Sequence, residues 1–184
     1  SASRARAAAD ADAAFVIVTA NPGRRVTGEA LAAAVATVRE AAPDLLCLAG
    51  KMHQAGAEEP LGPDLAETLV DAGAHGVLVP LPGTVPGVAE HTAAAMVRAV
   101  RSRGGLALGT IGTSQEGADR TTVTSLALMA KRIGVDVHHI GDAGFTGVAH
   151  PENVYAYAVA VRGVRHTWNR MARNVRATWK EGTT

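Results

Sequence analysis

Five short apolar runs, each ending in small or polar residues, recur along the chain. Each run has the length and composition of a buried strand. They begin near Ala14, Asp44, His75, Gly105 and Val135. The spacing of about thirty residues is the length of a strand plus a crossover helix. The pattern therefore predicts repeated β/α units.

Segments with helical character fill the intervals between these runs. The first opens on Thr27, a suitable N-cap, is rich in Ala and Leu, and stops at Pro43. Three further segments repeat the theme over residues 62–74, 88–105 and 119–135. Asp119 opens the last of them as another candidate cap. Nearly continuous apolar strands alternating with helices predict a parallel sheet covered by helices.

Two α/β architectures fit this alternation, namely a partial (β/α)8 TIM barrel and an open doubly wound sheet. A complete barrel typically needs about 250 residues, more than the 184 of this chain. The chain starts without Met, in an Ala/Arg-rich stretch that looks like a helix already under way. We therefore expect a single α/β domain over residues 1–184 that corresponds to five barrel units with a front portion missing.

Composition narrows the class of partner. The chain is 47% hydrophobic and 19% charged, with a net charge of +1. Proteins that bind nucleic acid or membrane surfaces usually carry a large basic excess, so we expect neither partner and favour a small anionic metabolite. Cys47 is the single cysteine, and no run approaches the roughly 20 apolar residues of a membrane span. With no apolar core of a signal peptide, the sequence indicates a cytoplasmic protein.

Polar residues at the strand ends matter most, because both architectures bind ligands at the carboxyl ends of their strands. Alternation along the first strand directs Thr19 and Asn21 toward the pocket, although Asn21 also suits a turn. Lys51 and His53 follow the second strand in phase with Cys47. A desolvated lysine can act as nucleophile or base or can fix an anion. The alternative for Lys51 is a solvated loop lysine.

The fourth strand end is the most polar. It offers Thr110, Gly112, Thr113, Ser114 and Glu116 within seven residues. Glycine lets backbone N–H groups approach an oxyanion, and the hydroxyl groups add donors. Glu116 is a candidate general acid or base or a metal ligand, and the alternative is a carboxylate that faces a helix dipole.

The fifth strand end carries two adjacent histidines followed by an Asp among glycines. Neighbouring side chains on a strand point to opposite faces, so we place His139 and Gly141 toward the pocket and His138 in the core. The reverse phase is the alternative. Asp142 could orient an imidazole, bind a metal or form a turn, while Gly144 adds room for the backbone.

Together the carboxyl ends of the strands predict one site that contains both catalytic and ligand-binding residues. The proton-transfer or catalytic candidates are Lys51, His53, Glu116 and His139. The candidates for binding substrate or phosphate are Thr19, Asn21, Thr110, Gly112, Thr113, Ser114, Gly141, Asp142 and Gly144. A divalent ion such as Mg²⁺ is a candidate cofactor, but the possible ligands come from separate segments without a recognised ligand spacing.

The last segment, residues 151–180, predicts a long Arg-rich helix. Its apolar stripe would comprise Val154, Tyr157, Val161, Trp168, Met171 and Val175. We interpret it as a closing helix with a solvated basic face. A subunit contact in a homo-oligomer is the alternative.

Several motifs carry a family resemblance over nearly the whole chain: "AGKMH", "PLPGTVPG", "GTIGTSQEGAD", "HHIGDAGF" and "PENVYAYAVAVRGVRHTW". They resemble an uncharacterised bacterial TIM-barrel family often labelled phosphoenolpyruvate phosphonomutase-like or haloacid dehalogenase-like hydrolase. The resemblance implies that the chain corresponds to barrel strands four to eight. The phosphonomutase label further implies a Mg²⁺-bound acidic cluster, which this segment does not display.

The dehalogenase label fails a direct test. Such enzymes need a D-x-D-x-[TV] nucleophile loop directly after a strand, whereas the D-x-D of this chain, Asp10 to Asp12, precedes one. We therefore expect a barrel-type enzyme that binds a small phosphorylated or carboxylated metabolite and performs lyase or isomerase chemistry by proton abstraction. The alternatives are a non-catalytic assembly module completed by an oligomer, and a truncated barrel remnant.

Overall fold

The fold alternates strands and helices as the hydrophobic pattern predicts. A computed structural model describes residues 1–20, 26–51, 61–112, 115–141 and 149–180, with side chains as far as residue 173. The strands are β1 (Phe15–Ala20), β2 (Leu46–Lys51), β3 (Gly76–Pro80), β4 (Leu106–Ile111) and β5 (Val137–Ile140). The helices are α1 (Ala2–Asp10), α2 (Gly28–Ala41), α3 (Pro63–Asp71), α4 (Glu90–Ser102), α5 (Arg120–Ile133) and α6 (Pro151–Lys180).

All five strands form one parallel sheet in the order β1-β2-β3-β4-β5. Each strand lies beside its predecessor in sequence, as in a TIM barrel. A doubly wound sheet reverses its strand order at a switch point. The doubly wound alternative is therefore wrong for these strands, and the barrel-type prediction is confirmed.

One face of the sheet is packed against the helices. Cys47 and Val77 project from this face and are fully buried, and they share one apolar cluster with Leu31, Leu69 and Met96 of the helices. Burial raises the pKa of the Cys47 thiol, as expected for a small core residue. The hydrophobic effect of these contacts holds α2, α3 and α4 against the sheet, while α1 packs on α2 and α6 packs on α5.

The opposite face of the sheet is open. Exposure of its apolar side chains ranges from 37% for Ile17 to 51% for Phe15. The exposed set comprises Phe15, Ile17, Leu46, Leu106 and Val137. In a closed barrel this face would be the packed interior. Among the described residues it has no second layer.

The two helix N-caps that the sequence predicts, Thr27 and Asp119, are present in the structure. The Thr27 side chain accepts a hydrogen bond from the Ala30 N–H at 3.1 Å, and Asp119 accepts from the N–H groups of Thr121 and Thr122 at 2.7 and 3.0 Å. Asp119 is thus a cap, and these hydrogen bonds lower its pKa.

The Arg-rich element α6 is bent, whereas its sequence predicts one long continuous helix. Gly163 has φ 78° and ψ 164°, which interrupts helical geometry and bends the element. Tyr157, before the bend, is buried, whereas Trp168 and Met171, beyond it, are 60% and 57% exposed. The predicted apolar stripe is therefore wrong as one continuous face, because a residue with positive φ changes the direction of the chain.

Candidate functional site

The open face carries a polar cluster at the carboxyl ends of the strands. Thr110 lies in register with Pro80 and with His139, and paired residues of parallel strands point to the same face. Thr19 is exposed on this same face, beside Gly50. The structure thus places Thr19, Thr110 and His139 on the face that the sequence assigned to the pocket.

Glu116 brings a carboxylate to this cluster. It lies in a short 3₁₀ turn, Gln115–Gly117, and is only 6% exposed. A Cβ atom placed on Gly141 would lie 2.9 Å from Glu116 Oε1. The Gly141 N–H continues the ladder by donating to the Ile111 carbonyl at 3.1 Å, so position 141 points to the same face as His139. The carboxylate therefore reaches over the end of β5 because Gly141 lacks a side chain.

One oxygen of this carboxylate is unusual. Glu116 Oε2 is buried and accepts no hydrogen bond from the part of the chain that the structure describes. A buried polar atom without a partner costs about 1–3 kcal/mol, so its presence calls for an explanation such as a catalytic role, a bound water or an ion. Among the described residues, this oxygen is the strongest indication of a ligand or proton-transfer site.

The buried Asn153, near the start of α6, holds the turn that carries Glu116. Its side-chain amide donates to the Glu116 carbonyl at 2.8 Å and to the Ala118 carbonyl at 3.0 Å. Our sequence reasoning missed this residue. The available signal was an Asn inside the first turn of a helix, where its side chain is free to bond to the backbone of a neighbouring segment.

The two histidines of β5 have different surroundings. His138 faces α6, and its Nδ1 lies 2.8 Å from the Tyr157 hydroxyl. Burial, with a smaller effect of the Arg162 charge, lowers the pKa of His138. The exposed His139 also has a lowered pKa, because neighbouring protein atoms withdraw part of its ring from water, while Glu116 acts in the opposite direction. A neutral imidazole beside a carboxylate suits proton transfer near neutral pH.

Lys51 lies on the other face of the sheet. It is in register with the buried Ala20, in phase with Cys47, and is only 4% exposed. The phase read from the sequence was right, but this phase belongs to the helix-covered side. The structure therefore does not bring Lys51 onto the face that carries Thr110 and His139.

The remaining candidates divide into two groups. Gly112 follows β4, and a Cβ there would meet no heavy atom within 4 Å among the described residues, so its backbone lies beside open space. Six other predicted site residues lie outside the described residues: Asn21, His53, Thr113, Ser114, Asp142 and Gly144.

Metal ligands do not converge in the part of the chain that the structure covers. No group of three or more His, Cys, Asp or Glu residues there could hold an ion. Glu116 and His139 would give at most two ligands, fewer than a protein metal site normally uses. The described donor set therefore does not fit a Mg²⁺ centre by itself.

The strand order and the polar cluster at the carboxyl edge define an α/β protein of the TIM-barrel type. Residues 1–177 match the family model described as Domain of unknown function (DUF7916), and the chain belongs to this family. No curated protein matches the chain. No helix among the described residues is long and apolar enough to cross a membrane.

Solved structures similar to this chain share its fold. A "putative phosphonomutase" from Burkholderia cenocepacia J2315 is 18% identical with TM-score 0.59, over 98% of this chain and 90% of that one. A 3-hexulose-6-phosphate synthase is 16% identical with TM-score 0.57, over 88% and 71%. A 2,3-dimethylmalate lyase of the PEP mutase/isocitrate lyase superfamily is 13% identical with TM-score 0.54, over 98% and 77%. These likenesses show the fold, and they give no support to a haloacid dehalogenase relationship.

Proposed function

We propose that the chain carries an enzyme site of the lyase or isomerase type, which acts on a small carboxylated or phosphorylated metabolite by removing a proton next to a carbonyl group. The observation that carries this proposal is the buried Glu116 carboxylate, whose Oε2 has no hydrogen-bond partner among the described residues. A group held out of water at the carboxyl edge of a barrel-type sheet is where this fold places its chemistry. The lyase, synthase and phosphonomutase names of structural neighbours are consistent with it.

In this proposal the residues divide between proton transfer and binding. Glu116 and His139 exchange the proton, because they lie at the same edge of the open face and the Glu116 charge acts on the His139 imidazole. Thr110 and the backbone beside Gly112 contact the anionic group, while Gly141 contributes only the room left by its missing side chain, since its N–H already donates to the Ile111 carbonyl. From the sequence, the hydroxyl groups of Thr113 and Ser114 would add donors to the same anion.

Solvent exchange tests the chemistry directly. The protein is incubated in D₂O with 2-oxo acids, beginning with pyruvate, and loss of the C–H signal next to the carbonyl is followed by proton NMR. Glu116→Gln should slow exchange by about 10²-fold or more, whereas Glu40→Gln, on the exposed side of α2, should not. Equal exchange rates in the two variants would refute the role of Glu116.

Binding of the anion is tested separately by thermal unfolding. Inorganic phosphate at millimolar concentration should raise Tm, because a ligand that binds only the folded state stabilises it. Ser114→Ala should reduce this rise. A Tm unaffected by phosphate and by carboxylates would argue against the anion site even if the fold is intact.

The open face of the sheet favours a second candidate function, a non-catalytic assembly module. Exposed contiguous apolar surface on a folded protein marks an interface, and here it includes Phe15, Leu46 and Leu106. In this alternative a second copy covers the face. The protein then catalyses no solvent exchange, so Glu116→Gln has no exchange rate to reduce. Analytical ultracentrifugation distinguishes the two functions, since Leu46→Lys should dissociate the assembly while leaving the residues of the polar cluster unchanged.

A further inference from the structure

A cavity of about 400 Å³ lies between the two halves of α6, away from the polar cluster of the sheet. Pro151, Val154, Ala158 and Met171 give it a largely apolar wall. Its volume is within the range of small-molecule sites, which are typically about 300–1,000 Å³ and mostly apolar with a few polar groups.

The bend at Gly163 creates this cavity and two hydrogen bonds hold its shape. The buried Thr167 hydroxyl donates to the Gly163 carbonyl at 2.8 Å. The Trp168 Nε1–H donates to the Tyr155 hydroxyl at 3.0 Å across the bend. The Thr167 bond stabilises the first turn after the bend, and the Trp168 bond joins the helix before the bend to the helix after it, so the two walls of the cavity are linked without a ligand.

The charge at the cavity has one sign. Arg162 and Arg170 both line it, and both are exposed without an ion pair to any described residue. Over residues 151–173 the chain has four arginines and a single acidic residue, Glu152. Two guanidinium groups beside an apolar wall match a ligand with an anionic head and an apolar body.

We propose that this α6 cavity binds a small carboxylate with an apolar chain or ring, at a site separate from the Glu116 cluster. A second copy of the chain fits less well, because a two-fold contact presents the same surface to itself. The cationic patch of one copy would then meet the same cationic patch of the other, and like charges brought together oppose association.

Octanoate and octanol test this assignment, since they share one apolar chain and differ in charge. Isothermal titration calorimetry should show octanoate binding roughly fivefold or more tighter than octanol, since one exposed charge pair gives up to about fivefold and the cavity offers two arginines. In a Trp179→Phe background, where Trp168 is the remaining tryptophan of the two, octanoate should change the fluorescence of Trp168.

Two variants and a control locate the binding. Arg162→Gln/Arg170→Gln should weaken octanoate binding about tenfold or more and leave octanol unchanged. Ala158→Phe, which fills the cavity, should weaken both ligands. Arg98→Gln, on the exposed side of α4, should weaken neither and controls for the loss of positive charge.

Three results would overturn the proposal. The first is octanoate binding that does not depend on the cavity, seen either as equal affinity for octanoate and octanol or as binding that survives both cavity variants. The second is a dimer in ultracentrifugation that Trp168→Arg dissociates, which would assign the surface to a second copy. The third is binding to phosphatidylglycerol vesicles without binding to free octanoate, which would assign it to a membrane surface. None of these variants changes Glu116. A negative result at the α6 cavity therefore does not bear on the solvent-exchange test of the proposed function.

Discussion

Replacing Asn153 with alanine tests how the fold supports the candidate site. The amide of Asn153 donates to two backbone carbonyls, at 2.8 Å to Glu116 and at 3.0 Å to Ala118. The residue is 8% exposed, so water does not readily replace the lost donors. Losing both bonds should cost about 2–4 kcal/mol, which for a chain of this length lowers Tm by roughly 5–12 °C.

The measurement is thermal unfolding of Asn153→Ala beside Asn169→Ala. Asn169 is an exposed asparagine on the same helix, and its replacement should change stability by less than about 0.5 kcal/mol. The Asn153→Ala variant should also lose solvent exchange, since the turn that carries Glu116 is released. If Asn153→Ala lowered Tm no more than Asn169→Ala, the amide would not hold this turn and the reasoning would fail.

Three further perturbations follow from the same geometry. Gly141→Ala should slow solvent exchange about tenfold or more, because the added Cβ would lie 2.9 Å from Glu116 Oε1. Asp119→Ala should cost about 1 kcal/mol by removing the N-cap of α5, measured as a lower Tm. The pKa of His138 is lowered by burial and by Arg162, so its stabilising contribution is present above its ordinary pKa of about 6.5 and is lost as pH falls. Between about pH 7 and pH 5 the Tm should therefore decline less steeply in His138→Phe than in the wild type.

Matched variants keep these outcomes interpretable. Gly62→Ala adds a Cβ where no described heavy atom lies within 4 Å, and it should leave exchange unchanged. His91→Phe replaces an exposed histidine of α4 and should keep the pH slope of the wild type. Exchange that survives Gly141→Ala, a Tm unaffected by Asp119→Ala, or an unchanged slope in His138→Phe would each contradict the corresponding reasoning.

The strands were predictable from the sequence because their signal is local. Every strand begins one or two residues after its predicted start, since buried parallel strands are continuous apolar runs. The caps at Thr27 and Asp119 depend on side chains a few residues from the N–H groups that they accept from, so they were predictable as well. Strict alternation along β5 predicted that His138 and His139 project to opposite faces, and the structure places His139 on the open face.

Which face of the sheet a side chain occupies, the helix-covered face or the open face, was harder to predict. Alternation put Lys51 in phase with Cys47 correctly, but it could not say which face the helices cover, because both faces of β2 are apolar in sequence. The helix-covered face depends on the direction in which every crossover winds, a property of the whole sheet. The bend in α6 likewise required the backbone conformation of Gly163, which a helical periodicity does not report.

The sequence by itself determined the alternating α/β elements, their caps, and the polar character of the strand ends, because these depend on contacts within a few residues. Only the tertiary structure decided that the strands follow one another in barrel order and that one apolar face stays open among the described residues. It also decided that Asn153 holds the Glu116 turn from 37 residues away. Such pairings are selected by packing between distant segments, and a local pattern contains no information about them.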